Sequence, residues 1–159
     1  DARFSATGKE YRYFIWNAPV LPPYVRRYRA HVRPPLDVKA MKAAAAHLVG
    51  RHDFAAFCAN PGYEREGTVR TLYGLRVWKR GPEFVISAEG EGFLYKMVRS
   101  LAGYLIRVGT RELAPDSALE ILNSRTRTAR VPTAQPQGLF LWRVRYAKRL
   151  QRLAEAPRS

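Results

Sequence analysis

The chain has 159 residues, and its 28 Lys and Arg against 13 Asp and Glu give a formal net charge of +15. Its 47% hydrophobic content is enough for the core of one ordinary domain. No run approaches the roughly 20 apolar residues of a membrane-spanning helix, and the single cysteine, Cys58, excludes an internal disulfide.

In chain order, Lys9–Trp16 is aromatic and β-branched and reads as a strand. Tyr11, Tyr13 and Ile15 share one face of it, Arg12, Phe14 and Trp16 the other. Pro19, Pro22 and Pro23 end the strand, and a basic loop follows from Tyr24 to Arg33. Asp37 reads as the N-cap of a helix to about Val49, with Val38, Met41, Ala45 and Leu48 at helical spacing and Gly50 as the stop. His52–Phe57 reads as a single helical turn, and 60–67 as a turn-rich loop. Thr68–Lys79 and Glu83–Glu89 are strand-like, and Arg80, Gly81 and Pro82 between them make a hairpin.

Leu94–Val108 carries the clearest helical stripe, through Leu94, Met97, Val98, Leu101, Leu105, Ile106 and Val108. Lys96, Arg99 and Gly103 fall together on a second face, where the glycine would let another backbone or a base come close. Pro115 and Asp116 open a short helix to about Asn123. Arg125–Gln137 is a Thr, Arg and Pro-rich loop, Gly138–Tyr146 a last strand, and 148–159 a basic tail beyond a domain at 1–147. The pattern predicts an α+β fold, an antiparallel sheet covered by helices on one face in a βαββαβ-like (RRM- or ferredoxin-like) order.

A field of this sign attracts polyanions, nucleic acid first. Arginine far outnumbers lysine. Its planar fork suits phosphate, although arginine-favouring codons would produce the same bias. Of the four aspartates, Asp1 is terminal, Asp37 and Asp116 sit where helix N-caps belong, and Asp53 lies beside a loop. No carboxylate pair, nucleophile elbow, Walker loop or dinucleotide motif is present. His31, His47 and His52 share no metal-ligand spacing with Cys58 or with one another. No metal is therefore expected.

Four stretches occur in a telling order: ARFSATGKEYRYFIWN at 2–17, LVGRHDFAAF at 48–57, EGFLYKMVR with GYLIRVG at 91–109, and PQGLFLWRVRY at 136–146. Together they make the chain resemble the C-terminal half of the tRNA pseudouridine synthase A (TruA-like) family. The resemblance implies isomerisation of uridines in the tRNA anticodon arm, without a cofactor: the base is detached from its ribose, turned and rejoined through carbon. It implies tRNA as partner, a homodimer and a cytoplasmic location. The family's aspartate lies in a GRTDAG-type motif absent here, so the resemblance places the nucleophile upstream of residue 1 and implies that this chain alone is inactive. A non-catalytic basic RNA-binding module is the alternative.

Two positions carry over. Tyr11 matches the first tyrosine of the family's R-Y-x-Y strand, which packs on the target base and is a candidate for proton removal. Arg99 matches the arginine of the MVR helix, the ion-pair partner of the aspartate. Leu139 and Leu141 are expected to supply apolar wall. Ser100 departs from the Asn common after that arginine, which puts a local hydrogen bond in doubt. Arg26, Arg27, Arg29 and Arg33 in the first basic loop, and Arg125, Arg127 and Arg130 in the second, are expected phosphate contacts.

Overall fold

The computed structural model describes residues 6–59 and 67–146. The tail at 148–159, most of the loop at 60–67 and Asp1 lie outside them. The elements are β1 (Ala6–Asn17), β2 (Ala30–Val32), α1 (Val38–Leu48), β3 (Gly50–Asp53), β4 (Val69–Arg80), β5 (Glu83–Gly90), α2 (Met97–Gly109), α3 (Ser117–Ser124) and β6 (Leu139–Tyr146). The sheet runs β2-β1-β5-β4-β3, with β6 also on β1. Every pairing is antiparallel except β2 on β1. The class is thus α+β as predicted, with a mixed sheet of six strands.

β1 is the central ribbon because both of its edges are used. β5 pairs along it from Lys9 to Trp16. On the other edge β6 takes Ala6 to Tyr13, and β2 takes Ile15 to Asn17. The alternation in β1 sends Tyr13 and Ile15, both 0% exposed, towards the helices. They join Leu72, Val77, Phe84, Ile86 and Ala88 of β4 and β5, Met41, Ala45 and Leu48 of α1, and Leu101, Tyr104, Leu105 and Val108 of α2 in one core. Tyr11 lies further along the same face, only half-buried.

Two short strands were not predicted. β2 is three residues long and depends on Asn17, whose Nδ2 donates to the Val32 and Pro34 carbonyls at 2.9 and 2.7 Å and whose Oδ1 accepts from the Leu36 amide at 3.1 Å. No periodicity could reveal a strand held by one distant side chain. β3 follows α1 directly. Gly50 has a φ of +108, which ends the helix and turns the chain to pair with Val69–Leu72. The expected helical turn shrinks to a 3-10 turn at Ala55–Phe57.

Two helix starts differ as well. α2 begins at Met97, not Leu94, because Lys96 is left-handed (φ 54). Lys96 therefore sits outside the helix and does not share a helical face with Arg99 and Gly103. Asp37 caps α1, accepting from the Lys39 and Ala40 amides at 3.0 and 3.1 Å. Asp116 makes no such bond: its backbone is already helical (φ −73, ψ −8), so the carboxylate cannot swing back over the first turn as an extended capping residue does. The hairpin is as predicted, with Gly81 at φ +58 ahead of Pro82. No helix among the described residues is long and apolar enough to cross a membrane.

Candidate active site

Tyr11 and Arg99 stand on different elements, Tyr11 on β1 and Arg99 on α2, the helix that packs on the face of β1 carrying Tyr13. Tyr11 stands on β1 opposite Leu141 of β6 and Ala88 of β5. Its ring meets Phe93 edge-on, with centroids 5.1 Å apart and planes at 85°. Leu141 is 54% exposed, so this end of the face is open rather than core. Leu139 pairs with Tyr13 and packs half-buried on the core. The two leucines and Tyr11 thus form one apolar border.

Tyr13, two residues on, differs sharply from Tyr11. It is fully buried, and its hydroxyl donates to the Gln135 carbonyl at 2.6 Å. Burial pushes its phenol far above the ordinary tyrosine value, and the Arg99 charge nearby offsets only part of that. Tyr13 is therefore held neutral as a donor, and Tyr11 is the accessible phenol of the pair.

Arg99 is the third residue of α2 and half-buried. Its Nε donates to the Ala134 carbonyl at 2.8 Å, and the Ala134 amide donates back to the Arg99 carbonyl at 3.0 Å. Among the described residues no carboxylate lies within ion-pair distance, and Nη1 and Nη2 take no hydrogen bond. The guanidinium is thus fixed at one corner with its bidentate end unused, the geometry that suits a carboxylate arriving from elsewhere.

What holds Arg99 is a strap, residues 131–135, locked at each position. Val131 is buried. Pro132 lies so close to Gly103 that a β-carbon there would collide with the Pro132 carbonyl, so the expected close approach at this glycine is by backbone. Thr133 Oγ1 accepts from Arg127 Nη2 at 2.7 Å, Ala134 is bonded to Arg99 in both directions, and Gln135 accepts from Tyr13. Ser100, the departure from the resemblance, does not lack a hydrogen bond. Its hydroxyl donates to the Lys96 carbonyl at 2.8 Å and accepts from Arg127 Nη1 at 2.8 Å.

The other cations divide. Arg26, Arg27 and Arg33 are exposed, and their side chains take no hydrogen bond or ion pair among the described residues. Arg29 pairs with Glu83 at 2.9 Å and lies over Phe14 at 4.3 Å. Arg125 stands 3.8 Å from Asp53 and Arg130 3.9 Å from Glu120. Arg127 is turned inward.

Sequence reasoning missed Glu10. It is 2% exposed on the sheet face away from the helices, and it accepts from Arg12 Nε at 2.7 Å and Ser87 Oγ at 2.9 Å. Burial raises its carboxyl, but Arg12, Ser87 and Arg143 together outweigh that and hold it below the ordinary glutamate value. Arg12 is in turn stacked between Trp142 and Trp78, at 4.5 and 5.2 Å. Alternation alone would have placed Glu10 with Arg12 on one face; its partners Ser87 and Arg143, and the tryptophans against Arg12, are distant in sequence.

Comparison with known proteins identifies the family. The family model described as tRNA pseudouridine synthase matches residues 44–147. The tRNA pseudouridine synthase A of Brevibacillus brevis is 48% identical over 145 residues, covering 91% of this chain and 59% of that protein. That of Listeria monocytogenes is 43% identical over 147 residues with the same coverages, and that of Halalkalibacterium halodurans 42% identical over 139 residues, 87% of this chain and 52% of its own length. The chain therefore spans somewhat more than half the length of these relatives, and it belongs to the tRNA pseudouridine synthase family.

Proposed function

We propose that this chain is the portion of a tRNA pseudouridine synthase that receives the target base and aims the nucleophile, acting on uridines of the tRNA anticodon arm. The observation that carries this reading is the pair of Arg99 and Tyr11: a half-buried guanidinium whose bidentate end takes no carboxylate among the described residues, on the same side of the sheet as an accessible phenol flanked by Phe93 and Leu141.

In this reading an aspartate from outside the chain docks on the Nη groups of Arg99. The ion pair keeps that carboxylate charged and oriented, as its attack or its stabilisation of developing positive charge requires. The uridine is turned out of the stem, and its ring lies against Tyr11, with Leu139 and Leu141 as apolar wall. The C1′–N1 bond breaks with its electron pair left on N1, the base rotates, and C5 bonds to C1′; the C5 proton is then lost, with Tyr11 the candidate for its removal, and N1 gains a proton from solvent, so that the product is an isomer of the substrate. The backbone is held by the exposed Arg26, Arg27 and Arg33. Two copies of the whole protein form a homodimer around the substrate.

Tritium release from tRNA labelled at uridine C5 tests the reading. The protein as its gene encodes it releases tritium, and residues 1–159 alone release none while still binding tRNA. Release by residues 1–159 alone would refute the placement of the nucleophile. Binding without release by the whole protein would leave the RNA-binding module as the correct reading. Sedimentation of the whole protein as a monomer would remove the dimer.

A further inference from the structure

We infer that Arg127 is a positioning residue for this site: its guanidinium ties α2 to the strap and so fixes the carbonyl on which Arg99 is aimed. This rests on the role of Arg99 proposed above.

The bonds are specific. Nη1 donates to Ser100 Oγ at 2.8 Å, and Nη2 to Thr133 Oγ1 at 2.7 Å. Ser100 follows Arg99 in the chain, and Thr133 precedes Ala134, the residue bonded to Arg99. Arg127 therefore spans the two segments one residue from each end of the contact that orients Arg99. Ser100 Oγ is itself anchored by donating to the Lys96 carbonyl, at the left-handed residue where α2 begins. The two Nη nitrogens must meet two hydroxyls at a set separation, which a planar fork does and a single ammonium does not.

The choice of partners also fits. Arg127 is half-buried, and among the described residues no carboxylate pairs with it. Burial lowers its pKa from the ordinary arginine value. A desolvated cation held by neutral hydroxyls is costly, and a carboxylate would relieve that cost. A carboxylate one residue from Arg99, however, would compete for the guanidinium that has to receive the nucleophile. Ser100 and Thr133 brace the strap without adding an anion. Arg127 was expected to be a phosphate contact, but both of its Nη groups are engaged inside the chain.

The test uses the protein as its gene encodes it. The Arg99 Nε–H resonance is identified in ¹H–¹⁵N spectra by its loss in Arg99→Lys. Arg127→Met is expected to speed exchange of Arg99 Nε–H and of the Ala134 amide at least about tenfold, with the Ile86 amide unchanged. Turnover on tRNA falls about 10- to 100-fold with KM within about twofold, the scale of a displaced catalytic group. Arg127→Lys, which reaches one hydroxyl, falls between. Thr133→Val keeps the packing volume and removes one bond, so it carries the test if Arg127→Met does not fold. Unchanged exchange at Arg99 Nε–H in both Arg127→Met and Thr133→Val overturns the inference. So does a rise in KM at constant turnover with a salt slope reduced by about one, which marks a phosphate contact. If the wild-type protein has no activity, the proposed function fails while the exchange measurement still decides the brace.

Discussion

The two faces of the sheet use arginine in opposite ways. On the face away from the helices, Arg12 and Arg143 converge on Glu10, Arg29 meets Glu83, and Arg145 meets Glu89 at 2.7 Å. Trp78 and Trp142 lie against Arg12, and Phe14 against Arg29. On the helix side, Arg99 and Arg127 are half-buried, yet among the described residues they bond only to a carbonyl and to hydroxyls. The first arrangement neutralises its charge and stabilises the sheet. The second leaves its charge without a carboxylate among the described residues, at some cost in stability, as the proposed docking of an anion on Arg99 would require. An arginine's role here is read from what opposes it, not from how buried it is.

The sharpest way to break this contrast is Arg99→Ala in the whole protein. It is expected to lower turnover on the order of 10²–10³-fold, the scale of losing one preorganised electrostatic group, with tRNA affinity nearly unchanged. Arg29→Ala, on the paired face, should leave turnover within about threefold and show its effect in thermal stability instead. Single-turnover rates and filter binding on both variants check this. Equal losses of affinity in both would reduce Arg99 to a backbone contact.

How much of this contrast could be read in the sequence depends on range. Strands β1, β4 and β5 and all three helices follow from local periodicity, because each buries a face, whereas β6 follows from its apolar and aromatic run although none of its residues is buried. Tyr11 and Arg99 were legible only through their surrounding motifs. A half-exposed tyrosine and a helix arginine otherwise look like ordinary surface. β2, β3 and the strap were not legible, since each depends on a contact distant in sequence: Asn17 to Val32, Gly50–Asp53 to β4, and Thr133 and Ala134 to α2. Composition misled at 125–137. A run rich in Arg, Thr and Pro reads as a solvated RNA-facing loop, but Arg127 and Thr133 turn inward and meet.

Gly103→Ala tests the strap from the other side. The added methyl must displace the Pro132 carbonyl, so a loss of about 1–3 kcal/mol from overpacking is expected, together with a fall in turnover larger than in an equally destabilised core variant. Chemical denaturation paired with kinetics separates the two. A turnover loss no greater than the stability loss predicts would detach the strap from catalysis.

Glu10→Gln addresses the paired face. The carboxylate titrates below its ordinary value in the folded chain, so its contribution is present above the unfolded glutamate value, about 4.3, and is lost as pH falls through its depressed folded value. The variant should lose about 1.5–3 kcal/mol at neutral pH, the scale of hydrogen bonds to a charged group. The gap to wild type should close as the pH drops below about 4. A gap that stays constant to low pH would mean that shape, not charge, holds Arg12 in place.

The smallest expected effect belongs to the exposed arginines that meet no carboxylate among the described residues. Arg26 and Arg27 follow the 3-10 turn at Pro23–Val25 and are exposed. A cation in that position costs the fold little and is available to a phosphate. Arg26→Ala and Arg27→Ala should each leave turnover and melting temperature unchanged. Each should weaken tRNA binding and reduce the slope of log K against log salt by about one. The same substitution at Arg29 should not change the slope, because Glu83 already neutralises it. If all three variants lower the slope alike, pairing within the chain does not decide which arginines meet RNA, and the division between the two faces holds only for the buried cations.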